Sequence, residues 1–455
     1  MAANSPQIAE ALKNFKDNRD RYKRATDYFN GEHDLSYATE KFKTAFGTLF
    51  RTFALNLCPA VCDAVTDKLI VTGFKVEKGD ASEVPEQAWR IWQANRMGTR
   101  AGEIHKEAVK VGDAYAIVWP DPVTGKLTIY PNRAETCTVK YDDETPNTIL
   151  WAAKYWKITG KKYRLNIYYP DRVERFVTAK ENELLPDADA FVEFDGDKAG
   201  PVIANPYGTV PVFHFANKSG MRSFGQSEFE QSIPLQDALN KSVLDMLVAM
   251  EFAAFRQRWA TGIEMEYDDQ GNPKAPFAAG VEKLWVSENS EVKFGDFEAA
   301  NLEQFLSVKD GFRTDISCQT GTPLHYFMLT GAAFPQSGIS IEKLESRFLA
   351  KVRDKMESFG QVWEDLMAFA LRVENAGDNI QLFTEWQDPA PISETEKLDA
   401  LIQKQTLGVP DERLWMEAGY GEADITEMKA IADAKQEANV RRFNAGEVED
   451  PLTAK

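Results

Sequence analysis

The stretch PLQDALNKSVLDMLVAMEFAAFRQR, residues 234–258, decides how the rest of the chain is organised. Its apolar side chains recur every three or four residues, which predicts one helix about 37 Å long at a rise of ~1.5 Å per residue. Pro234 fits the first turn of such a helix, because the first amides of a helix have no partner within it. The sequence therefore predicts a long apolar rod near the middle of the chain.

An insert and two further helices follow this rod. Turn-rich sequence at 259–298 predicts short strands, and helical spacing then predicts a second helix over 299–318. An uncharged loop, 330–338, precedes a third helical pattern of about 35 residues. The insert contains YDDQGNP, residues 267–273, whose acidic start resembles a calcium-binding loop. Because Ala279 stands where the closing carboxylate of such a loop is needed, a hairpin turn is favoured over calcium binding.

The first half of the chain combines helices with sheet. Helical spacing predicts an opening helix that ends near Gly31 and several short helices after it. Over 114–215, apolar and polar residues alternate in short runs separated by turn signals, which predicts antiparallel strands. A short strand at 380–386 is expected to rejoin a sheet, and short charged helices are expected over 391–440. The predicted fold class is therefore α+β.

The charge balance argues against a surface that grips nucleic acid. The chain has 455 residues and a formal net charge of -18, whereas affinity for phosphates comes mainly from Lys and Arg. An acidic protein can still let DNA pass without holding it, although the simpler interpretation is that this charge maintains solubility. No apolar run reaches the ~18 residues of a membrane helix, so no membrane span is expected. The first residues lack a secretory signal pattern, so the chain is expected to stay in the cytoplasm where it is made.

No catalytic, cofactor-binding or metal-binding signature stands out. The sequence lacks a Gly-rich phosphate loop, a His-Glu-x-x-His motif and a Gly-x-Ser-x-Gly motif, and its four histidines are widely separated. Cys58 and Cys62 are close enough to share a metal ion, but they lack further ligands nearby and are interpreted as core residues. The chain is expected not to be an enzyme and to need no cofactor. A metal-dependent nuclease assembled from distant carboxylates is the weaker alternative.

One charge pattern on the third predicted helix has two interpretations. Basic side chains recur every fourth residue there and so form one stripe along the helix. They are Lys343, Arg347, Lys351 and Lys355. The stripe either faces DNA or an acidic neighbouring subunit, or it is a solvated surface balanced by acidic residues such as Glu345.

Five stretches of the chain, taken together, carry a family resemblance. They are 56–74 (NLCPAVCDAVTDKLIVTGF), 208–217 (GTVPVFHFAN), 225–241 (GQSEFEQSIPLQDALNK), 320–327 (TGTPLHYF) and 337–348 (SGISIEKLESRF). In this order and spacing they resemble the portal proteins, or head-to-tail connectors, of long-tailed bacteriophages. The resemblance covers nearly the whole chain. None of the stretches is a catalytic signature, so its specificity lies in their order.

The resemblance implies a portal-like α+β fold with an α/β wing, a two-helix stem, a small α/β clip, a long wing helix and a helical crown. In chain order the implied parts are the N-terminal part of the wing (1–223), the first stem helix (224–258), the clip (259–298), the second stem helix (299–320), the tunnel loop with the long helix and the rest of the wing (321–390), and the crown with the tail (391–455).

A portal protein implies a ring rather than a catalyst. About a dozen copies would close around a channel at one capsid vertex, through which double-stranded DNA is packaged and later ejected. The implied partners are the terminase large subunit, a head-completion adaptor, and the major capsid and scaffold proteins. The implied location is the virion, after assembly in the host cytoplasm. The alternative is a structural ring or scaffold protein that never contacts DNA.

The resemblance also implies which segments meet DNA and the packaging motor. A tunnel loop would project into the channel, and the clip would dock first the motor and then the adaptor. The tunnel-loop residues are Thr330, Gly331, Phe334, Pro335, Gln336 and Ser337, and the clip residues are Glu264, Glu266, Tyr267, Asp268 and Asp269. The tunnel loop contains no Lys or Arg, which argues against a role in gripping phosphates.

Overall fold

A computed structural model describes most of the chain. The described residues are 6–34, 37, 44, 55–76, 83–145, 148–182, 184–221, 224–254, 258–262, 266–267, 270, 273–274, 291–296, 302–328, 338–375, 380–390, 394–419, 425 and 428–431. The chain divides into two compact units, which are Met1–Phe334 with Glu345–Pro389, and Pro335–Leu344 with Ala390–Lys455.

The long helices form where apolar residues recur at helical spacing, as the sequence predicts. In chain order the helices are α1 (Pro6–Phe29), α2 (Cys58–Thr66), α3 (Val84–Ala94), α4 (Met97–Val111), α5 (Ile233–Ala254), α6 (Leu302–Thr320), α7 (Gly338–Val373), α8 (Glu394–Thr406) and α9 (Asp411–Ala418). The predicted rod is α5, which is shorter than expected because Arg258 already begins a strand. The 36 residues of α7 make it about 54 Å long.

The described strands pair in antiparallel fashion, which confirms the prediction for 114–215. They are β1 (Val71–Val76), β2 (Asp113–Pro120), β3 (Leu127–Arg133), β4 (Cys137–Tyr141), β5 (Ile149–Ile158), β6 (Lys162–Tyr168), β7 (Arg172–Thr178), β8 (Phe191–Glu193), β9 (Val202–Ala204), β10 (Val212–Ala216), β11 (Arg258–Thr261), β12 (Glu266–Tyr267), β13 (Pro273–Lys274), β14 (Lys293–Asp296) and β15 (Leu382–Trp386). β4 to β8 form one sheet in sequence order, with β9 also paired to β7. A second sheet has the order β10-β2-β3, and β15 rejoins β1 as predicted.

The insert between α5 and α6 consists of nested hairpins in its described part. β11 pairs with β14, and β12 pairs with β13 inside it, so Tyr267 lies opposite Pro273. This pairing confirms the predicted hairpin turn. α5 and α6 pack against each other, so the insert starts and ends beside the same pair of helices.

The core of the first unit is built around α7. Trp363 of α7 is fully buried, and its ring centroid lies 4.9 Å from that of Trp92 and 4.6 Å from that of Phe215. Cys58 and Cys62 are buried in the same core, which confirms their interpretation. The described residues contain no group of three side chains able to hold a metal ion.

A smaller core lies between α1 and the six-stranded sheet. Ile8, Leu12 and Phe15 of α1 are buried against this sheet, where they meet side chains such as Leu165 and Phe191. The amphipathic opening helix therefore docks as the sequence predicts, and it leaves the opposite face of the sheet for other contacts.

In its described part, the second unit contains the paired helices α8 and α9. Leu414 of α9 is buried, while Leu398, Ile402 and Leu407 of the preceding segment are exposed. Among the helices that the structure describes in the two units, none is both long enough and apolar enough to cross a bilayer.

Candidate functional site: buried charge networks around α6 and α7

A carboxylate without solvent contact lies at the start of the segment that leads into α5. The Glu228 side chain is fully buried, and three ammonium groups surround it: Lys355 Nζ at 2.8 Å, Lys218 Nζ at 2.9 Å and Lys351 Nζ at 3.1 Å. Burial alone would raise the pKa of this carboxyl, but the three lysines hold the pKa of Glu228 well below its ordinary value. Glu228 is therefore ionised at neutral pH, and we call this carboxylate and its three lysines the Glu228 network.

The same lysines bind the ends of two other elements. Lys351 Nζ donates a hydrogen bond of 2.9 Å to the carbonyl oxygen of Thr320, the last residue of α6. Lys355 Nζ donates a hydrogen bond to Asn217 Oδ1. The side-chain amide nitrogen of Asn217, Nδ2, donates in turn to the carbonyl oxygen of Gln226 at 2.7 Å. A cation at the C-terminal end of a helix is also favoured by the helix dipole. The network thus joins α7 to the end of α6 and to the loop after β10.

A second buried carboxylate connects α7 to the turn that follows α6. Glu345 Oε1 accepts hydrogen bonds from Tyr326 Oη at 2.9 Å and pairs with His325 Nε2 at 3.0 Å. Lys68 Nζ lies 3.6 Å from the other carboxylate oxygen. Burial, then the hydrogen bond to Glu345, raises the pKa of Tyr326. This Glu345 network joins α7 to the turn that follows α6.

A third carboxylate, Asp113, organises the junction of α1, β2 and β10. It is fully buried and accepts hydrogen bonds from Tyr22 Oη at 2.8 Å, from Arg21 Nη2 at 2.9 Å and from the backbone amide of Gly225 at 2.7 Å. His214 Nε2 lies 2.9 Å from Asp113 Oδ1, the oxygen that also accepts the hydrogen bond of the Gly225 amide. Burial alone would raise the pKa of Asp113, but these donors, His214 first, lower it.

Two glycines allow the backbone segments around these networks to cross. A Cβ atom on Gly225 would lie only 2.0 Å from the Gly112 carbonyl oxygen, and Gly112 itself has a φ of 108°, which disfavours other residues. The backbone N–H of Asn217 donates to the same Gly112 oxygen at 2.7 Å. This close crossing fixes the chain just before Glu228.

The structure divides the predicted basic stripe in two. Lys343 and Arg347 are exposed, whereas Lys351 is half-buried and Lys355 is 5% exposed. For Lys351 and Lys355 both interpretations of the stripe are wrong, because their ammonium groups point into the chain and bind Glu228. Helical spacing alone could not reveal this, because it places the four residues on one surface without showing what covers it.

Most of the predicted tunnel-loop and clip residues lie outside the part of the chain that the structure describes. Thr330, Gly331, Phe334, Pro335, Gln336 and Ser337 lie outside the described residues, as do Glu264, Asp268 and Asp269. Glu266 and Tyr267 form β12, and the Tyr267 side chain is exposed.

Sequence reasoning missed Glu228, Asp113 and the role of Glu345. Glu228 and Glu345 lie within stretches that carry the family resemblance, and that position was the available signal. Asp113 lies outside all five stretches, although two of its partners, His214 and Gly225, lie within them. The stretches 208–217, 225–241, 320–327 and 337–348 each supply at least one residue of the networks. The fold and these networks are those of a structural protein. The buried carboxylates bind donors of the same chain and so hold distant segments together.

The family of the chain follows from its similarity to known proteins. A family model described as phage portal protein, SPP1 Gp6-like, matches residues 9–441, and the chain belongs to this family. The resemblance inferred from the five stretches is confirmed. Because portal proteins are structural proteins, the expectation that the chain is not an enzyme is confirmed as well.

Individual relatives agree with the family assignment. The portal protein of Mycobacterium phage D29 is 29% identical over 388 residues, covering 81% of this chain and 76% of the relative. The portal protein of Mycobacterium phage L5 is 27% identical over 381 residues, with the same coverage of 81% and 76%. A chain from the neck of an empty GTA particle has a TM-score of 0.51 at 11% identity, covering 84% of this chain and 95% of that one. The last similarity concerns the fold alone.

Proposed function

We propose that copies of this chain close into a ring that serves as the portal, the head-to-tail connector at one vertex of a phage capsid. The family match carries this proposal, because it spans residues 9–441 and so leaves no large part of the chain for another function. The similar neck structure was computed with C6 symmetry, which is the symmetry of a closed ring. The ring contains about a dozen copies, assembles in the host cytoplasm and remains in the virion.

Within each copy, the parts are assigned from the observed elements. The paired helices α5 and α6 are the stem, and the hairpins between them are the clip. The two sheets with α1 to α4 and the length of α7 form the wing, and α8 and α9 belong to the crown. These boundaries follow those implied by the resemblance, with α5 shortened to Ala254 and α6 extending to Thr320.

The ring passes double-stranded DNA without sequence specificity, and other proteins drive and seal that passage. In this proposal the tunnel loop, 329–338, faces the channel. The clip docks the terminase large subunit and afterwards the head-completion adaptor, while the wing meets major capsid and scaffold proteins. A net charge of -18 per copy supports sliding over gripping, because a ring repeats each carboxylate around the channel. Of the basic stripe, Lys343 and Arg347 have exposed side chains, and these two residues face DNA or a neighbouring copy in this proposal.

Electron microscopy of the purified protein tests the proposal directly. Negatively stained particles are expected to be rings with rotational symmetry and a central hole wide enough for a DNA duplex. Rings whose hole is too narrow for a duplex would favour the alternative of a scaffold that never contacts DNA. A compact monomer at every concentration and ionic strength would overturn the proposal.

A further inference from the structure

A cavity of about 340 Å³ in the first unit lies away from the charge networks around α7. Residues of both sheets line it, from β2 and β3 on one side and from β5, β6, β7 and β9 on the other. Its volume falls at the lower end of the ~300–1,000 Å³ found for ligand pockets. Four aromatic side chains contribute to the lining, and they are Trp119, Tyr130, Trp156 and Tyr168. We call it the intersheet cavity.

One row of polar side chains crosses the floor of the intersheet cavity. Lys154 of β5 is paired with Asn166 of β6, and Asn166 is paired with Arg175 of β7. In the neighbouring row, Trp156 is paired with Arg164. Because side chains alternate along a strand, all of these residues lie on the face of the sheet opposite the small core beneath α1. The face is thus cationic and aromatic by its register.

The positive charges in this row are only partly balanced. Arg175 forms hydrogen bonds of 2.8 and 2.5 Å with the two carboxylate oxygens of Asp197. Within the described part of the chain, neither Lys154 nor Arg164 has a carboxylate oxygen within the 4.0 Å of an ion pair. The guanidinium carbon of Arg164 lies 3.4 Å from the Phe194 ring centroid, and Lys154 Nζ lies 5.7 Å from that of Trp156. Among the residues that the structure describes, Lys154 and Arg164 therefore have no ion-pair partner.

Polar atoms in the same place also lack partners. Arg164 Nε and Asn166 Oδ1 are buried and have no hydrogen-bond partner among the described residues. Burial lowers the pKa of Lys154, and burial followed by the charge of Arg175 lowers the pKa of Arg164. Buried polar groups are normally hydrogen-bonded, so these atoms beside an open volume indicate a place where a bound molecule supplies an acceptor for Arg164 Nε and a donor for Asn166 Oδ1.

We propose that the intersheet cavity binds an acidic peptide segment of a partner protein. A carboxylate of the peptide is held by Lys154 and Arg164, and an adjacent aromatic or apolar side chain packs against Trp119 and Trp156. Arginine matches a carboxylate with paired hydrogen bonds, and the aromatic rings bury the uncharged part of the peptide. A nucleic acid is a poorer match, because its affinity depends on many phosphate contacts and the chain as a whole carries a charge of -18.

Saturation-transfer NMR, which detects weak ligands of large assemblies, tests this with the full-length protein. The probe is the dipeptide N-acetyl-Glu-Trp-amide, and the matched control peptide has Gln in place of Glu. The Glu peptide is expected to bind, and the variants Lys154→Met and Arg164→Met are each expected to weaken it by about tenfold or more, because each removes a charged hydrogen bond. Lys157→Met is the protein control, because Lys157 is exposed on the same strand and points to its other face.

Several results would overturn the proposal. They are equal binding of the Glu and Gln peptides, an equal loss in Lys157→Met, no binding at all, and tighter binding of adenosine 5′-monophosphate, which would indicate a nucleotide site. Sedimentation and thermal unfolding confirm that each variant is folded, and if Arg164→Met is not, Lys154→Met alone decides. The ring proposal is tested separately by microscopy, so a failure here leaves it intact.

Discussion

At the scale of single residues, the buried charges stabilise this chain only while each one has its partner. Glu228 has no solvent contact and is neutralised by Lys351 and Lys355, which are themselves mostly buried. Breaking a buried pair by removing one charge leaves the other without compensation, and typical costs are about 3–5 kcal/mol. The Glu228 network is therefore more sensitive to substitution than surface charges are.

Glu228→Gln tests this sensitivity. The substitution keeps the shape of the side chain but removes the counter-charge of three lysines, so we expect a loss of about 3–5 kcal/mol in the free energy of unfolding. Glu230→Gln, two residues along and outside the network, is the matched control and should change stability by less than about 0.5 kcal/mol. Thermal or urea unfolding followed by circular dichroism measures both. Similar losses in the two variants would show that the network does not stabilise the fold.

The pH dependence of the same variant has a defined sign. The lysines hold the pKa of Glu228 below its ordinary value of 4.5 in the folded chain. When the pKa of a carboxyl group is lower in the folded chain than in the unfolded chain, its ionised form stabilises the fold. This contribution is complete when the pH is above the pKa in the unfolded chain, and it is lost as the pH falls towards the pKa in the folded chain. The stability difference between the unsubstituted chain and Glu228→Gln should therefore be full at neutral pH and shrink below about pH 4.5. Melting temperatures measured from neutral pH down to acid would reveal it, and a constant difference would contradict it.

At the scale of elements, the networks hold the two ends of one segment. The Glu228 network joins the end of α6 to α7, and the Glu345 network joins α7 to the turn Leu324–Tyr326. Residues 329–337, which contain most of the proposed tunnel loop, lie in sequence between these anchored elements. The crossing at Gly112 and Gly225 in turn fixes Glu228.

Gly225→Ala tests the backbone crossing. The added Cβ would meet the Gly112 carbonyl oxygen at 2.0 Å, so the two backbone segments must separate and the Asp113 hydrogen bond to the Gly225 amide must lengthen or break. We expect a loss of at least about 3 kcal/mol in stability or a failure to fold. The control is Gly102→Ala in α4, where nothing lies within 4 Å and alanine favours the helix by up to about 1 kcal/mol. If Gly225→Ala unfolds at the same temperature as the control, the crossing is not tight.

At the scale of the whole molecule, net charge opposes the assembly that we propose. Each copy carries a charge of -18, and a closed ring brings many such copies together. Repulsion between exposed charges is screened over roughly 10 Å at 0.1 M salt and reaches further at lower salt. Apolar contacts between copies must therefore overcome a repulsion that grows as salt is removed.

The ring is consequently expected to loosen at low ionic strength. Sedimentation velocity from 10 to 500 mM NaCl, at roughly constant protein concentration, should show a larger share of rings at the higher salt concentrations. The control is the same series with a neutral osmolyte such as sucrose, which leaves ionic screening unchanged. A ring that dissociates as salt rises would show instead that ion pairs between copies hold it.

Much of the fold could be predicted because apolar spacing is a local property. The spacing identified α5, α6 and α7, the antiparallel character of 114–215 and the return of β15 to a sheet. The spacing could not predict that the side chains of Lys351 and Lys355 turn inward, because their partner Glu228 lies more than a hundred residues earlier in the sequence. The cationic face of the intersheet cavity was hidden for the same reason, since it depends on the register of three strands.

The sequence by itself therefore determined the order of helices and strands, the acidic balance and the membership of the portal family. Only the tertiary structure decided which charges are buried, which glycines permit a backbone crossing and which cations have no ion-pair partner among the described residues. The physical reason is that secondary structure follows from side chains a few residues apart, whereas the burial and pairing of a charge depend on whichever distant segment the fold brings against it.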